Sequence, residues 1–151
     1  MVAQRVVRSR EASPEDLQAV LAIEYKCFPD PYPFNLLKRL HLMHPDGFLV
    51  ADAEGVVVGY VIGVLRWGET GHVLAIGVLP NYQRQRLGTM LLKNIVNHLR
   101  SKGARTVRLE VRKSNIAAQQ FYKRMGFIER EQILYYYEDG ETAIAMELPL
   151  D

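Results

Sequence analysis

The stretch Ile76-Gly77-Val78-Leu79-Pro80-Asn81-Tyr82-Gln83-Arg84-Gln85-Arg86-Leu87-Gly88-Thr89 is an apolar strand pattern that breaks at a proline and passes through a basic loop into an amphipathic helix. A loop that delivers successive backbone N–H groups to the start of a helix gathers unsatisfied donors and the positive end of the helix dipole at one point, which suits a pyrophosphate. Arg84 and Arg86 add charge there. A solvated basic helix start accounts for the same residues, and this stretch alone does not choose between the two. Further along, Thr106 to Arg112 alternates with period two, placing Val107, Leu109 and Val111 on one face and Arg108, Glu110 and Arg112 on the other. Read alone, Glu110 is a strand carboxylate paired with Arg108 and Arg112. His41 and His44 are spaced to share a helix face but have no third ligand candidate nearby, so they read as surface or capping residues and no metal site is expected. His72, His98, Trp67 and Cys27 carry no assigned role.

These residues need a scaffold, and the rest of the chain describes one. At 151 residues it fits a single domain, residues 1–151, able to bury roughly two thirds of its unfolded surface. Ser13 followed by Pro14-Glu15-Asp16 is an N-cap with proline and acids in the first turn of a helix that ends near Phe28. Three prolines make Phe28-Pro29-Asp30-Pro31-Tyr32-Pro33 irregular, an aromatic loop before a second helix from Asn35 to His44. Arg5 to Arg10 alternates as a first strand. Phe48–Asp52 and Val56–Val64 read as a hairpin about Ala53-Glu54-Gly55, and a third strand, His72 to Val78, continues the meander. Leu87, Leu91, Ile95 and Leu99 recur at helical spacing and Gly103 stops that helix. Asn115 caps a short helix, Ile116 to Met125, Gly126 ends it, and two final strands follow around Asp139-Gly140. The order is strand, two helices, three-stranded meander, helix, strand, helix, hairpin, an α/β chain.

Composition narrows the setting. With Cys27 as the sole cysteine there is no internal disulfide and no thiolate-rich metal site, which favours a reducing compartment. No apolar run approaches the ~20 residues of a membrane span, and Met1-Val2-Ala3-Gln4-Arg5 lacks the apolar core of a signal peptide. The expected protein is cytoplasmic and has no membrane contact. A net charge of +2 with interspersed signs gives no reason to expect nucleic acid.

The succession Gln83-Arg84-Gln85-Arg86-Leu87-Gly88, then Leu109-Glu110-Val111-Arg112-Lys113-Ser114-Asn115, then Ala118 and Phe121-Tyr122 with Gly126-Phe127 resembles the GNAT superfamily of acetyl-coenzyme A-dependent N-acetyltransferases. Within it the chain looks most like the RimI-type and archaeal N-terminal protein acetyltransferases. The likeness extends to Tyr136-Tyr137 and the ending Ala143-Ile144-Ala145-Met146. It implies the GNAT fold: a mixed, mostly antiparallel sheet of about seven strands flanked by about four helices, splayed between the fourth and fifth strands. The resemblance also implies roles. Ile76, Gly77 and Val78 would pair with the pantetheine arm, and the loop of Gln83, Arg84, Gln85, Arg86, Leu87, Gly88 and Thr89 would hold the pyrophosphate of acetyl-CoA. Asn115 would hydrogen-bond the coenzyme, Tyr122 would lie near its sulfur, and Glu110 would be the general base. Phe28, Pro29 and Tyr32 in the aromatic loop, with Tyr136 and Tyr137, would flank a peptide slot. Three consecutive tyrosines near a hairpin are equally consistent with edge-strand packing. The family's loop pattern has a glycine where this chain has Arg86, which fits if the backbone there is already helical.

Magnitudes narrow the acceptor. An α-ammonium lies about 3.5 units above an unperturbed glutamate and a lysine ammonium about 6, so deprotonation costs roughly 5 against 8 kcal/mol. The resemblance therefore reads as acetyl transfer, by direct attack in a ternary complex, to the N-terminal amine of proteins, ribosomal or nascent chains among them. The same scaffold serves lysine or small-amine acetylation, and a non-catalytic coenzyme A-binding sensor or partner subunit is the alternative of another class. Glu110 and Tyr122 together favour an enzyme.

Overall fold

The computed structural model describes residues 6–83 and 86–151. Among them run β1 (Val7–Glu11), α1 (Leu17–Cys27), α2 (Phe34–Met43), β2 (Phe48–Ala53), β3 (Val56–Arg66), β4 (Thr70–Val78), α3 (Leu87–Ser101), β5 (Thr106–Arg112), α4 (Ile116–Arg124), β6 (Ile128–Ile133) and β7 (Ala143–Pro149). The sheet order is β1-β2-β3-β4-β5-β7-β6, a seven-stranded mixed sheet with four helices, as the pattern of turns and periodicities anticipates. The chain divides into two compact units, one of Met1–Gly63 with Ala75–His98 and one of Val64–Leu74 with Leu99–Asp151. The start of the expected first strand, Arg5, and the N-terminal residues read for a signal peptide lie outside the described residues.

In the first unit β1, β2 and β3 pair antiparallel, with Val7 opposite Ala53 and Phe48 opposite Ile62, and β2 carries an irregularity between Ala51 and Asp52. Its core holds Val20 and Ile23 of α1, Leu37 of α2, Phe48, Val50, Tyr60 and Ile62 of the sheet, and Leu91, Leu92 and Ile95 of α3. The entry to α1 is fixed by reciprocal Ser13 and Asp16 hydrogen bonds, which satisfy donors that a helix start leaves open. Arg10 then ties Asp16 (2.7 Å) and Asp52 (2.9 Å) together. His41 departs from the expectation of a surface residue. It is buried, with Nε2 2.8 Å from the Ala12 carbonyl and its ring edge-on to Phe48. Its helical position faces the sheet, and a backbone partner removes the cost of burying the ring nitrogen.

In the second unit β5 is central. It pairs parallel with β4 from Thr70↔Thr106 to His72↔Arg108 and antiparallel with β7 along its whole length, Thr106↔Pro149 to Arg112↔Ala143. The parallel register covers three pairs, while β4 continues to Val78. α4 is capped by Asn115, whose Oδ1 accepts from the Ala118 N–H at 3.1 Å. Gly126, with φ of +100°, closes the helix so that the Phe127 N–H returns to the Tyr122 carbonyl at 3.0 Å. Tyr135, Tyr136 and Tyr137 are not in a strand. They lie in the β6–β7 loop, with Tyr135 at φ +55°, which removes the edge-strand account of these rings.

Candidate active site

Glu110 sits on the polar face of β5 and its side chain is nearly enclosed. Oε1 is 2.6 Å from His72 Nε2 and 3.4 Å from the Tyr136 hydroxyl, which donates to it, and Oε2 accepts from Arg108 Nε at 2.9 Å. Burial pushes the carboxyl up, but the His72 hydrogen bond and charge, then Arg108, outweigh it and hold Glu110 below the usual carboxylate range. Only one of the expected guanidinium partners is present. Arg112 turns instead to Asp139 (2.9 Å) and Glu141 (2.8 Å), with its guanidinium 4.1 Å from the Tyr137 ring centroid. The β6–β7 loop supplies those carboxylates and competes for Arg112, a competition that alternation along β5 cannot reveal.

His72 is the residue that sequence reasoning missed. It is 7% exposed, and because a carboxylate only accepts, its Nε2 carries the hydrogen toward Glu110. Nδ1 is then a buried ring nitrogen without a hydrogen-bond partner. The signal was the parallel register that sets His72 opposite Arg108. Strand periodicity does not encode it, because register between distant strands is set by the fold.

Tyr122, on α4, is buried between Phe121 (ring centroids 5.2 Å apart) and Phe127 (5.8 Å), and that burial raises its hydroxyl far above the ordinary tyrosine range. The group therefore stays protonated. Asn115 is exposed at the helix start. Tyr136 packs edge-on against Tyr137 at 5.0 Å, and burial followed by the Glu110 charge raises the Tyr136 hydroxyl.

In the first unit, Gly77 of β4 is buried because a Cβ there would stand 2.9 Å from Tyr60 Cε1 and 3.2 Å from Ile23. Packing thus accounts for this glycine. The Val78 carbonyl accepts from Cys27 Sγ (3.3 Å) and Gln83 Nε2 (3.0 Å), so it is committed within the protein. Phe28, Pro29 and Tyr32 lie between α1 and α2. Tyr32 is anchored by its backbone N–H, which donates to Glu24 Oε1 at 2.7 Å, and the Tyr60 hydroxyl donates to Glu24 Oε2. Arg84 and Gln85 lie outside the described residues. Arg86 overturns the expectation of a helical backbone: its φ is +61°, the left-handed region that favours glycine. It immediately precedes α3, and its carbonyl accepts the Met90 N–H at 3.0 Å. The residue that enters α3 thus takes a conformation usual for glycine, and it is an arginine.

Arg86→Gly is accordingly expected to stabilise the fold. Relief of about 1–2 kcal/mol of left-handed strain exceeds the roughly 0.5–1 kcal/mol that glycine's unfolded-state freedom costs. A rise of a few degrees in Tm, read by calorimetry, is the result expected; a fall would show that the arginine side chain holds the turn.

Residues 17–127 match the acetyltransferase (GNAT) family. The chain belongs to that family. An uncharacterized N-acetyltransferase of Methanocaldococcus jannaschii is 41% identical over 138 residues, covering 91% of this chain and 88% of that protein. An N-alpha-acetyltransferase of Sulfurisphaera tokodaii is 34% identical over 155 residues, 95% of this chain and 93% of its own. Among solved structures, Ard1 from Thermoplasma volcanium superposes with a TM-score of 0.92 at 30% identity, covering 96% of this chain and 98% of that one. GNAT acetyltransferases use acetyl-CoA, and the helix start suits its phosphates. The Met90 N–H donates to the Arg86 carbonyl, so the first turn of α3, with its positive dipole end, begins at the basic loop, and Gly88 presents no Cβ there.

Proposed function

We propose that this GNAT domain acetylates the N-terminal α-amine of proteins, with Glu110 as general base and Tyr122 as hydrogen-bond donor to the leaving sulfur. One observation carries the reading: Glu110 is a nearly enclosed carboxylate kept ionised by His72 and Arg108. The name of the Sulfurisphaera tokodaii relative supports the choice of amine.

Acetyl-CoA supplies an acetyl group activated as a thioester. The chain's residues do the rest. The start of α3 and the charge of Arg86 serve the phosphates, and the family likeness assigns Asn115, at the start of α4, to the coenzyme as well. Ile76 and Gly77 offer strand backbone to the pantetheine arm. Glu110, with its low pKa, does not strip an ammonium outright. It takes the proton as the C–N bond forms, when the nitrogen's basicity falls, and the amine must arrive neutral. His72 orients the carboxylate through its Nε2 hydrogen bond. Tyr122, kept protonated by burial, stabilises the sulfur as it leaves. Tyr136 and Tyr137, on the loop whose Tyr136 hydroxyl meets Glu110, contact the acceptor peptide, and the family likeness assigns acceptor contact to Phe28, Pro29 and Tyr32 as well.

The test is a peptide library of defined N-termini incubated with acetyl-CoA, with mass gain assigned by fragment position, beside the same peptides with blocked N-termini and internal lysines. Acetylation is expected on the α-amine of unblocked peptides, with a rate that rises with pH toward the α-amine's pKa of ~8. Modification of the blocked peptides at lysine would overturn the α-amine assignment. Binding of coenzyme without transfer to either set would leave the sensor or partner-subunit reading.

A further inference from the structure

The turn between β3 and β4 holds a bulky aromatic residue in a conformation that disfavours it. Trp67 has a φ of +49°, followed by Gly68 at +75°. Glycine and asparagine occupy the left-handed region readily, whereas a bulky side chain there is an outlier whose strain clusters at functional positions. The ring is nonetheless 64% exposed, so core burial does not hold it there. The ring has two neighbours: it lies 5.3 Å from the His72 ring, tilted by 35°, and the Arg66 guanidinium stands 5.8 Å from its centroid. Through His72 the indole is one side chain removed from Glu110, whose Oε1 is 2.6 Å from His72 Nε2. Paired positive φ values suit a hairpin turn and recur at Glu54 and Gly55 between β2 and β3; what the turn does not require is a tryptophan left exposed beside the base's own partner.

Resting on the α-amine reading above, we propose that Trp67 is a specificity-determining residue that stacks on an apolar or aromatic side chain of the acceptor, at the second or third residue after the reacting amine. Spacing sets the position. An extended peptide advances about 3.3–3.6 Å per residue, and the breadth of one imidazole and a stacking gap separate the indole from the carboxylate. An indole face suits flat or apolar side chains, and Arg66 beside it disfavours a cationic one.

Trp67→Asn tests this without damaging the turn, because asparagine tolerates positive φ. With peptides varied at positions two and three, the parent is expected to show a lower KM for Phe, Tyr, Leu or Met than for Gly, Ser or Lys. In Trp67→Asn that preference collapses: KM for the favoured peptides rises about five- to tenfold, kcat and the KM for acetyl-CoA hold, and the melting temperature is not lowered. Trp67→Phe, which keeps a ring, restores part of the preference. Trp67 is the chain's sole tryptophan, so its fluorescence also reports contact directly, with a saturable change expected on titration with already acetylated peptides. A Trp67→Asn profile matching the parent for every peptide would overturn the proposal, as would fluorescence indifferent to saturating peptide. If the parent acetylates no α-amine, the functional reading fails on its own, and the fluorescence titration still decides whether peptide meets the indole.

Discussion

Glu110→Gln is expected to lower kcat on the order of 10²–10⁴-fold with the KM for acetyl-CoA unchanged. The substitution is close to isosteric, and the surroundings allow the amide to be seated. Arg108 Nε is only a donor, so it selects the amide oxygen, leaving the amide NH₂ toward His72. To accept from that NH₂, His72 must carry its hydrogen on Nδ1, a buried atom without an acceptor, so the variant also gives up roughly 1–3 kcal/mol of stability. The site keeps its shape and loses its proton acceptor. Residual turnover should still climb with pH, because that slope belongs to the acceptor amine. Steady-state kinetics of both substrates across pH 6–9 check the outcome, and parental turnover would remove Glu110 from the chemistry.

The largest loss of stability is expected at Glu24. It is 2% exposed, and its carboxylate accepts from the Tyr32 N–H at 2.7 Å and from the Tyr60 hydroxyl. Glu24→Ala strands both donors, at roughly 1–3 kcal/mol each, and opens a cavity besides. Glu24→Gln keeps an acceptor for Tyr32 and offers the Tyr60 oxygen an amide donor, so it should be far milder. pH separates the variants further. Burial raises the Glu24 pKa, against the weaker pull of the Tyr32 and Tyr60 hydrogen bonds. With the folded value above the unfolded one, the stability linked to this group is fully present below the usual glutamate pKa of 4.5 and is lost as pH rises through the folded value. Glutamine has no such dependence, so Glu24→Gln should gain on the parent between pH 4.5 and 7.5. Urea midpoints at the two ends of that range measure it, and parallel curves would show that the folded protein does not penalise the charge.

The elements could be read from the residues because each carries local punctuation. Ser13 with Pro14 opens the α1 region, Gly103 and Gly126 close α3 and α4, and β5 runs over the same Thr106–Arg112 that its alternation outlines. Glu110 and Tyr122 were singled out by a motif order rather than by a pattern of charge. Relations between distant segments were not legible. His72 meets Glu110 through a parallel register, Arg112 is claimed by a loop some thirty positions away in the chain, and Tyr60 meets Glu24 across 36 positions. Positive φ escaped for another reason. Arg86, Trp67 and Tyr135 hold conformations their own chemistry disfavours, and local preference identifies such positions only when it is obeyed.

Arg108 is shared. Its guanidinium reaches Glu110 at 2.9 Å, Glu131 of β6 at 3.0 Å and Glu147 of β7 at 3.8 Å. Glu131 is open to solvent on an outer strand, yet a change of charge there alters how much of the guanidinium's field remains for Glu110. The proton affinity of Glu110 is thereby coupled to a carboxylate two strands away that does not touch it.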